Sequence, residues 1–177
     1  LRLLIDPSTV PLRRAPKEEK DLIISSAGAW VQALDNLSTL PLWLSDALCR
    51  LATGGGLADR ELYTDGEIFL VDVMRPCLIT GIEDLAARGD LLDRTIPISL
   101  PQMDDAARVP ETQLWRKFDE VRPGILGALL DAACCALKNL PTTTLDKMPR
   151  MADFAVWVVA GAEALGFKPE EFLGAYK

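Results

Sequence analysis

The sequence predicts an α/β core followed by an all-helical C-terminal part. Three observations carry this. Short apolar runs with β-prone residues, "WVQAL", "CLIT" and "TIPISL", fall between residues 30 and 100 and alternate with helical patterns. Beyond Pro110 the apolar residues recur only at helical spacing. With 177 residues and 49% apolar content, the chain is long enough for one core, or one domain with a small satellite. We divide it at 1–108 and 109–177.

Residues 1–20 carry Pro7, Pro11, Pro16 and "KEEK" and read as connector, with "LRLLID" a candidate short strand. "DLIISSA" fits a short helix or a strand equally. Trp30 to Leu34 reads as a buried strand that stops at Asp35-Asn36. In "LPLWLSDALCRLATGGG", Leu44, Ala47, Leu48 and Leu51 recur at helical spacing. Pro41 suits the start of that helix, and the glycines after Thr53 suit its stop. "ELYTDGEIFLVDV" predicts a hairpin turning at Asp65-Gly66. "RPCLITGI" predicts a second buried strand, "EDLAARGDLLDR" a short helix and loop, and "TIPISL" a third strand closed by Pro101. "ETQLWRKFDEVRPGILGALLDAACCALKNL" is helical, with Pro123 a kink or a break. "RMADFAVWVVAGAEALGF" predicts an amphipathic helix, and "KPEEFLGAYK" a last short one with Pro169 in its first turn.

Composition excludes several classes. Net charge is -7, which gives no bulk support for a free-standing DNA binder. No apolar run reaches about 18 residues, so no membrane span is expected, and no signal peptide is visible. Histidine is absent, which removes Ser-His-Asp and Cys-His catalysis within this chain. Cys49, Cys77, Cys134 and Cys135 match no zinc spacing and read as buried reduced thiols of a cytoplasmic protein. No G-x-x-x-x-G-K-[ST] phosphate loop occurs, and Gly54-Gly55-Gly56 reads as a loop after a helix end.

What remains is an ordered set of polar groups at strand ends. "WVQALDN" brings Asp35 and Asn36, "CLITGIED" brings Thr80, and "DLLDRTIPI" places Arg94 just before a strand. Taken singly, each has a plain reading. Asp35-Asn36 suits an Asx turn, Thr80 an ordinary strand position, and Arg94, beside Asp90 and Asp93, a surface ion pair of little weight. In register, the three reverse that preference. An acid on one strand can orient Mg2+, a polar group on its neighbour can position water, and an arginine can neutralise transition-state charge.

In this order and spacing, residues 22–100 resemble the second half of an AAA+ type P-loop ATPase core. The likeness is to helicases of phages and mobile elements, related to superfamily 3 helicases and phage primase-helicases. "ALDNLS" matches the Walker B strand, "RPCLITGIEDL" the sensor-1 strand and "DLLDRTIPISL" the arginine-finger segment. The helical tail from Pro149 is also similar.

The resemblance implies ATP hydrolysis, with Asp35 holding Mg2+ through water and Thr80 as the sensor-1 group. Asn36 stands where many such enzymes place a catalytic Glu; an amide can orient water but cannot be a base. The helicases carry an Asn two positions after Thr80, and here Ile82 stands there. Arg94 would be a finger acting on a neighbour's nucleotide, which implies a homo-oligomeric ring, a hexamer by family expectation. Arg60 and the Tyr63–Leu70 hairpin lie where relatives contact DNA, although a solvated loop charge accounts for Arg60 as well. Arg150 would be a second sensor that touches nucleotide. The phosphate loop would lie upstream of Leu1, so the chain alone is expected to be inactive; loss of the loop is the other possibility.

Two further classes stay open: a non-catalytic ATPase-like assembly module, and a DNA-binding module without ATPase activity. Trp115, Phe154 and Trp157 read as helix-packing residues. Asp104-Asp105 and Glu170-Glu171 read as helix-start acids.

Overall fold

The computed structural model describes residues 1–54, 57–60, 68–71, 73–82, 85 and 88–176, with 57–60 and 68–71 described by their main chain. It divides into two units, Leu1–Thr95 and Ile96–Lys177.

The first unit is a mixed helix–strand body. Its order is α1 (Arg2–Ile5), α2 (Glu19–Ala27), β1 (Gln32–Leu37), α3 (Leu42–Thr53), β2 (Leu57–Arg60), β3 (Ile68–Val71), β4 (Cys77–Gly81) and α4 (Gly89–Leu92). β1 and β4 pair in parallel, with Gln32 opposite Cys77 and Leu34 opposite Ile79. Arg13 bridges the other edge of β1, donating to the Ala33 carbonyl and accepting from the Asp35 N–H. β1 is therefore flanked on both sides. Its first three residues, Gln32, Ala33 and Leu34, are all buried, as a strand covered on both faces should be. Gln32 tolerates this because its amide donates to the Ser25 carbonyl and accepts from the Ser25 hydroxyl.

A parallel pair needs a crossover, and α3 with the β2–β3 pair lies between β1 and β4 in the chain. Leu44, Ala47, Leu48 and Leu51 of α3 are buried, as their spacing predicts, and join Leu22 and Ile23 of α2, Leu34 and Leu37 of β1, and Leu91 of α4 in the core. Gly54 ends α3 in the left-handed conformation, its N–H returned to the Arg50 carbonyl. An ion pair between Arg50 and Glu19 joins α3 to α2.

Several sequence expectations are corrected here. "LRLLID" forms α1, a single helical turn, and "DLIISSA" is helical. Trp30 is outside β1 and 71% exposed, and the strand continues through Asp35 and Asn36 to Leu37. "TIPISL" is not a strand. Pro97 has no N–H to donate to a ladder, and Ile96, Ile98 and Leu100 stand exposed. β2 pairs antiparallel with β3, so the first arm of the hairpin is Leu57–Arg60; the Asp65-Gly66 turn lies outside the described residues.

The second unit contains α5 (Glu111–Asn139), α6 (Ala152–Gly161) and α7 (Pro169–Ala175), with short 3-10 turns between them. α5 runs straight through Pro123 for 29 residues. Its C-terminal half packs on α6 through small residues: Ala132, Ala136 and Gly161 are buried, and a Cβ on Gly161 would lie 3.0 Å from the Ala132 carbonyl oxygen. Asn139 Nδ2 donates to the Ala160 carbonyl at 3.1 Å. Phe154 packs on Phe172 and Tyr176 of the last helical segment, as a packing residue should. Trp115 instead stays on its own helix, edge-on to Phe118 and bonded to Glu111. α5 with its following turn, Glu111–Thr142, is long and apolar enough by length and composition to cross a membrane.

Candidate functional site

The site is built at the C-terminal half of β1. Between Leu34 and Leu37 the register with β4 slips: three steps along β1 match two along β4, from Ile79 to Gly81. The extra residue makes a bulge, and bulges re-aim side chains. Asn36 takes the left-handed conformation, φ 55, which Asn tolerates better than most residues. Asp35 and Asn36 thus bulge the strand rather than end it.

Thr80 closes the bulge. Its hydroxyl donates to Asp35 Oδ1 at 2.5 Å and accepts the Asn36 N–H at 3.0 Å. One side chain of β4 therefore fixes both the carboxylate and the main chain of the irregular step. Gly81, next along, has no room for a side chain: a Cβ there would sit 2.6 Å from the Leu37 carbonyl oxygen and 2.6 Å from Leu85 Cδ1. The strands approach closely just where the carboxylate is clamped. Asp35 is half-buried, and Asn36 and Thr80 are exposed, so the pair is open to solvent and ligand. At the other end of β4, burial pushes the Cys77 thiol up to about 12, which keeps it neutral and inert.

An oriented carboxylate beside a hydroxyl suits Mg2+ carried by a nucleotide, because Mg2+ keeps its waters and takes one or two carboxylates plus phosphates. It does not suit a free-standing cation site: no group of three or more metal-ligating side chains occurs among the described residues. The phosphate side is not supplied, because the sequence contains no phosphate loop.

The other expected residues lie elsewhere. Arg94 follows α4, and its Nη1 donates to the Asp90 carbonyl at 2.6 Å. It sits beside Cys49, whose thiol is pushed up by burial and pulled back by Arg94. The structure joins Asp35, Asn36 and Thr80 and leaves Arg94 on the α3–α4 face. Arg60 ends β2 and its side chain is outside the described residues, as are residues 63–67. Arg150 is exposed, just before α6 in the second unit. Ile82, where the helicases of the resemblance carry Asn, is 97% exposed and offers no hydrogen bond from its side chain. Sequence reading missed Gly81. The "TG" pair at a strand end was a legible signal of close backbone approach.

A family model for the actinomycete integrative conjugative element replication protein matches residues 1–176, essentially the whole chain. The chain belongs to that family. It is a replication protein of a mobile element, which agrees with the mobile-element part of the resemblance. No curated protein and no solved structure matches it.

Proposed function

We propose that this member of the replication protein family contributes the metal-orienting side of an ATP-hydrolysing site that drives DNA work during replication of the element. The observation that carries the reading is the Thr80 clamp: two parallel neighbouring strands meet at a carboxylate, a hydroxyl and a bulged main chain. Bound Mg2+ would supply charge neutralisation for the nucleotide phosphates. Asp35 would help hold that ion, with its carboxylate oriented toward it by Thr80. Thr80 holds Asp35 in one orientation and Asn36 in its left-handed turn, and Asn36, being an amide, orients water without taking its proton. Arg94, half-buried beside α4, would serve a neighbouring subunit's nucleotide where the chains assemble in a ring.

The test is Mg2+-dependent nucleotide affinity in the intact replication protein. ATP should bind more tightly with Mg2+ than with chelator, and Asp35→Ala should erase that difference while leaving chelator-state binding unchanged. An Asp35→Ala protein with the full Mg2+ effect would refute the assignment.

A second reading is a non-catalytic assembly module. It is favoured by α5, whose Leu114, Val121 and Leu130 are each more than half exposed. In that case nucleotide would not bind with or without Mg2+.

A further inference from the structure

At the opposite end of β1 from Asp35, Trp30 stands 71% exposed although large aromatics are normally well covered. Trp30 lies two residues before β1, and Asp35 lies within it. Trp30 is not a loose surface residue. Its N–H and that of Val31 both donate to Asp6 Oδ2, at 3.1 and 3.0 Å, so the main chain that carries the indole is pinned. One face of the ring is occupied: the Arg75 guanidinium carbon lies 4.6 Å from the ring centroid. Arg75 is itself fixed, its N–H on the Leu51 carbonyl, Nε on the Ser26 carbonyl and Nη1 on the Met74 carbonyl. These partners are neutral carbonyls, and among the described residues no carboxylate pairs with Arg75. Among the described residues, the positive charge is positioned by main-chain carbonyls and meets no carboxylate. With its exposure so high, the ring's second face is open.

We propose that Trp30 and Arg75 form a stacking site for single-stranded nucleic acid. The open indole face takes a base, and the guanidinium behind it attracts the adjoining phosphate. A base needs only a flat π-face and a nearby cation. A protein interface would draw on a broad apolar patch, whereas the feature the structure fixes here is a single ring backed by a cation. The site is separate from the Asp35–Thr80 pair and requires no nucleotide, so it stands or falls independently of the ATPase reading.

The experiment is fluorescence anisotropy of a labelled oligothymidine titrated with the full chain in the absence of ATP, over a range of salt. Trp30→Ala should weaken binding about tenfold, the size expected for the loss of one base–aromatic stack, and Trp30→Phe should restore most of it. Arg75→Ala should lower the slope of log affinity against log salt by about 0.7, one phosphate contact on a single strand. Trp30 is exposed and Arg75 half-buried, and thermal melts coincident with the unmodified chain would confirm that all three variants fold. Unchanged affinity in Trp30→Ala overturns the proposal. So does a Trp30→Ala protein that changes its sedimentation but not its oligothymidine binding, which would assign the tryptophan to a protein interface.

Discussion

Thr80 does two jobs with one oxygen, and its loss should separate them. Thr80→Ala leaves the Asn36 N–H and Asp35 Oδ1 to water, which at this exposed position costs about 0.5–1 kcal/mol by urea denaturation. Thr80→Ser keeps the hydroxyl and should stay close to the parent. Gly81→Ala is harsher. Its Cβ would press on main-chain oxygen at 2.6 Å, and main chain cannot swing aside, so we expect a loss of about 1–3 kcal/mol. Asn36→Gly should be nearly neutral and Asn36→Val clearly destabilising in the same denaturation series, because a β-branched residue fits φ 55 poorly. At this scale the sequence was partly legible. Asp35 and Thr80 could be singled out by type and order, but the bulge that joins them depends on a register slip no single strand encodes.

Elements were legible where burial and local chemistry agree. α3 reads correctly from both ends, because Pro41, the 44/47/48/51 stripe and Gly54 all act within one helix. "TIPISL" misleads because its alternation suits a strand while Pro97 denies it a ladder bond, and only the neighbouring chain decides which wins. Trp30 misleads in the opposite sense, an aromatic at a strand entrance that stays outside. Within β4, Cys77 reports on the sheet. Its thiol titrates near 12 when folded against 9.0 in the open chain, so the folded form holds its proton more tightly. That contribution to stability is complete below pH 9 and declines as pH rises toward 12. Native protein at pH 8 should therefore resist iodoacetamide at Cys77 until denaturant opens the β1–β4 pair, as mass spectrometry of the labelled peptide would record. In α5, Pro123 breaks no helix but withholds one N–H from the ladder, so Pro123→Ala should raise the thermal midpoint of the second unit, with a gain of up to about 3 kcal/mol.

At the scale of the whole molecule, family membership places the chain in replication of a mobile element, and the coupling of ATP to that work is the step proposed. If Arg94 serves the neighbouring subunit, Asp35→Ala and Arg94→Ala proteins should each be inactive alone. An equimolar mixture should regain part of the turnover, since some interfaces then carry both groups intact. Such complementation requires a ring or chain of subunits, which the resemblance implies.

The most direct measurement of the central claim is the ATP turnover of the intact replication protein with DNA present, compared between the parent and Asp35→Ala. A fall on the order of a hundredfold or more is expected, with the fold preserved by circular dichroism. Turnover that is equal in the two proteins would contradict it and leave Asp35 as no more than the polar half of a strand bulge.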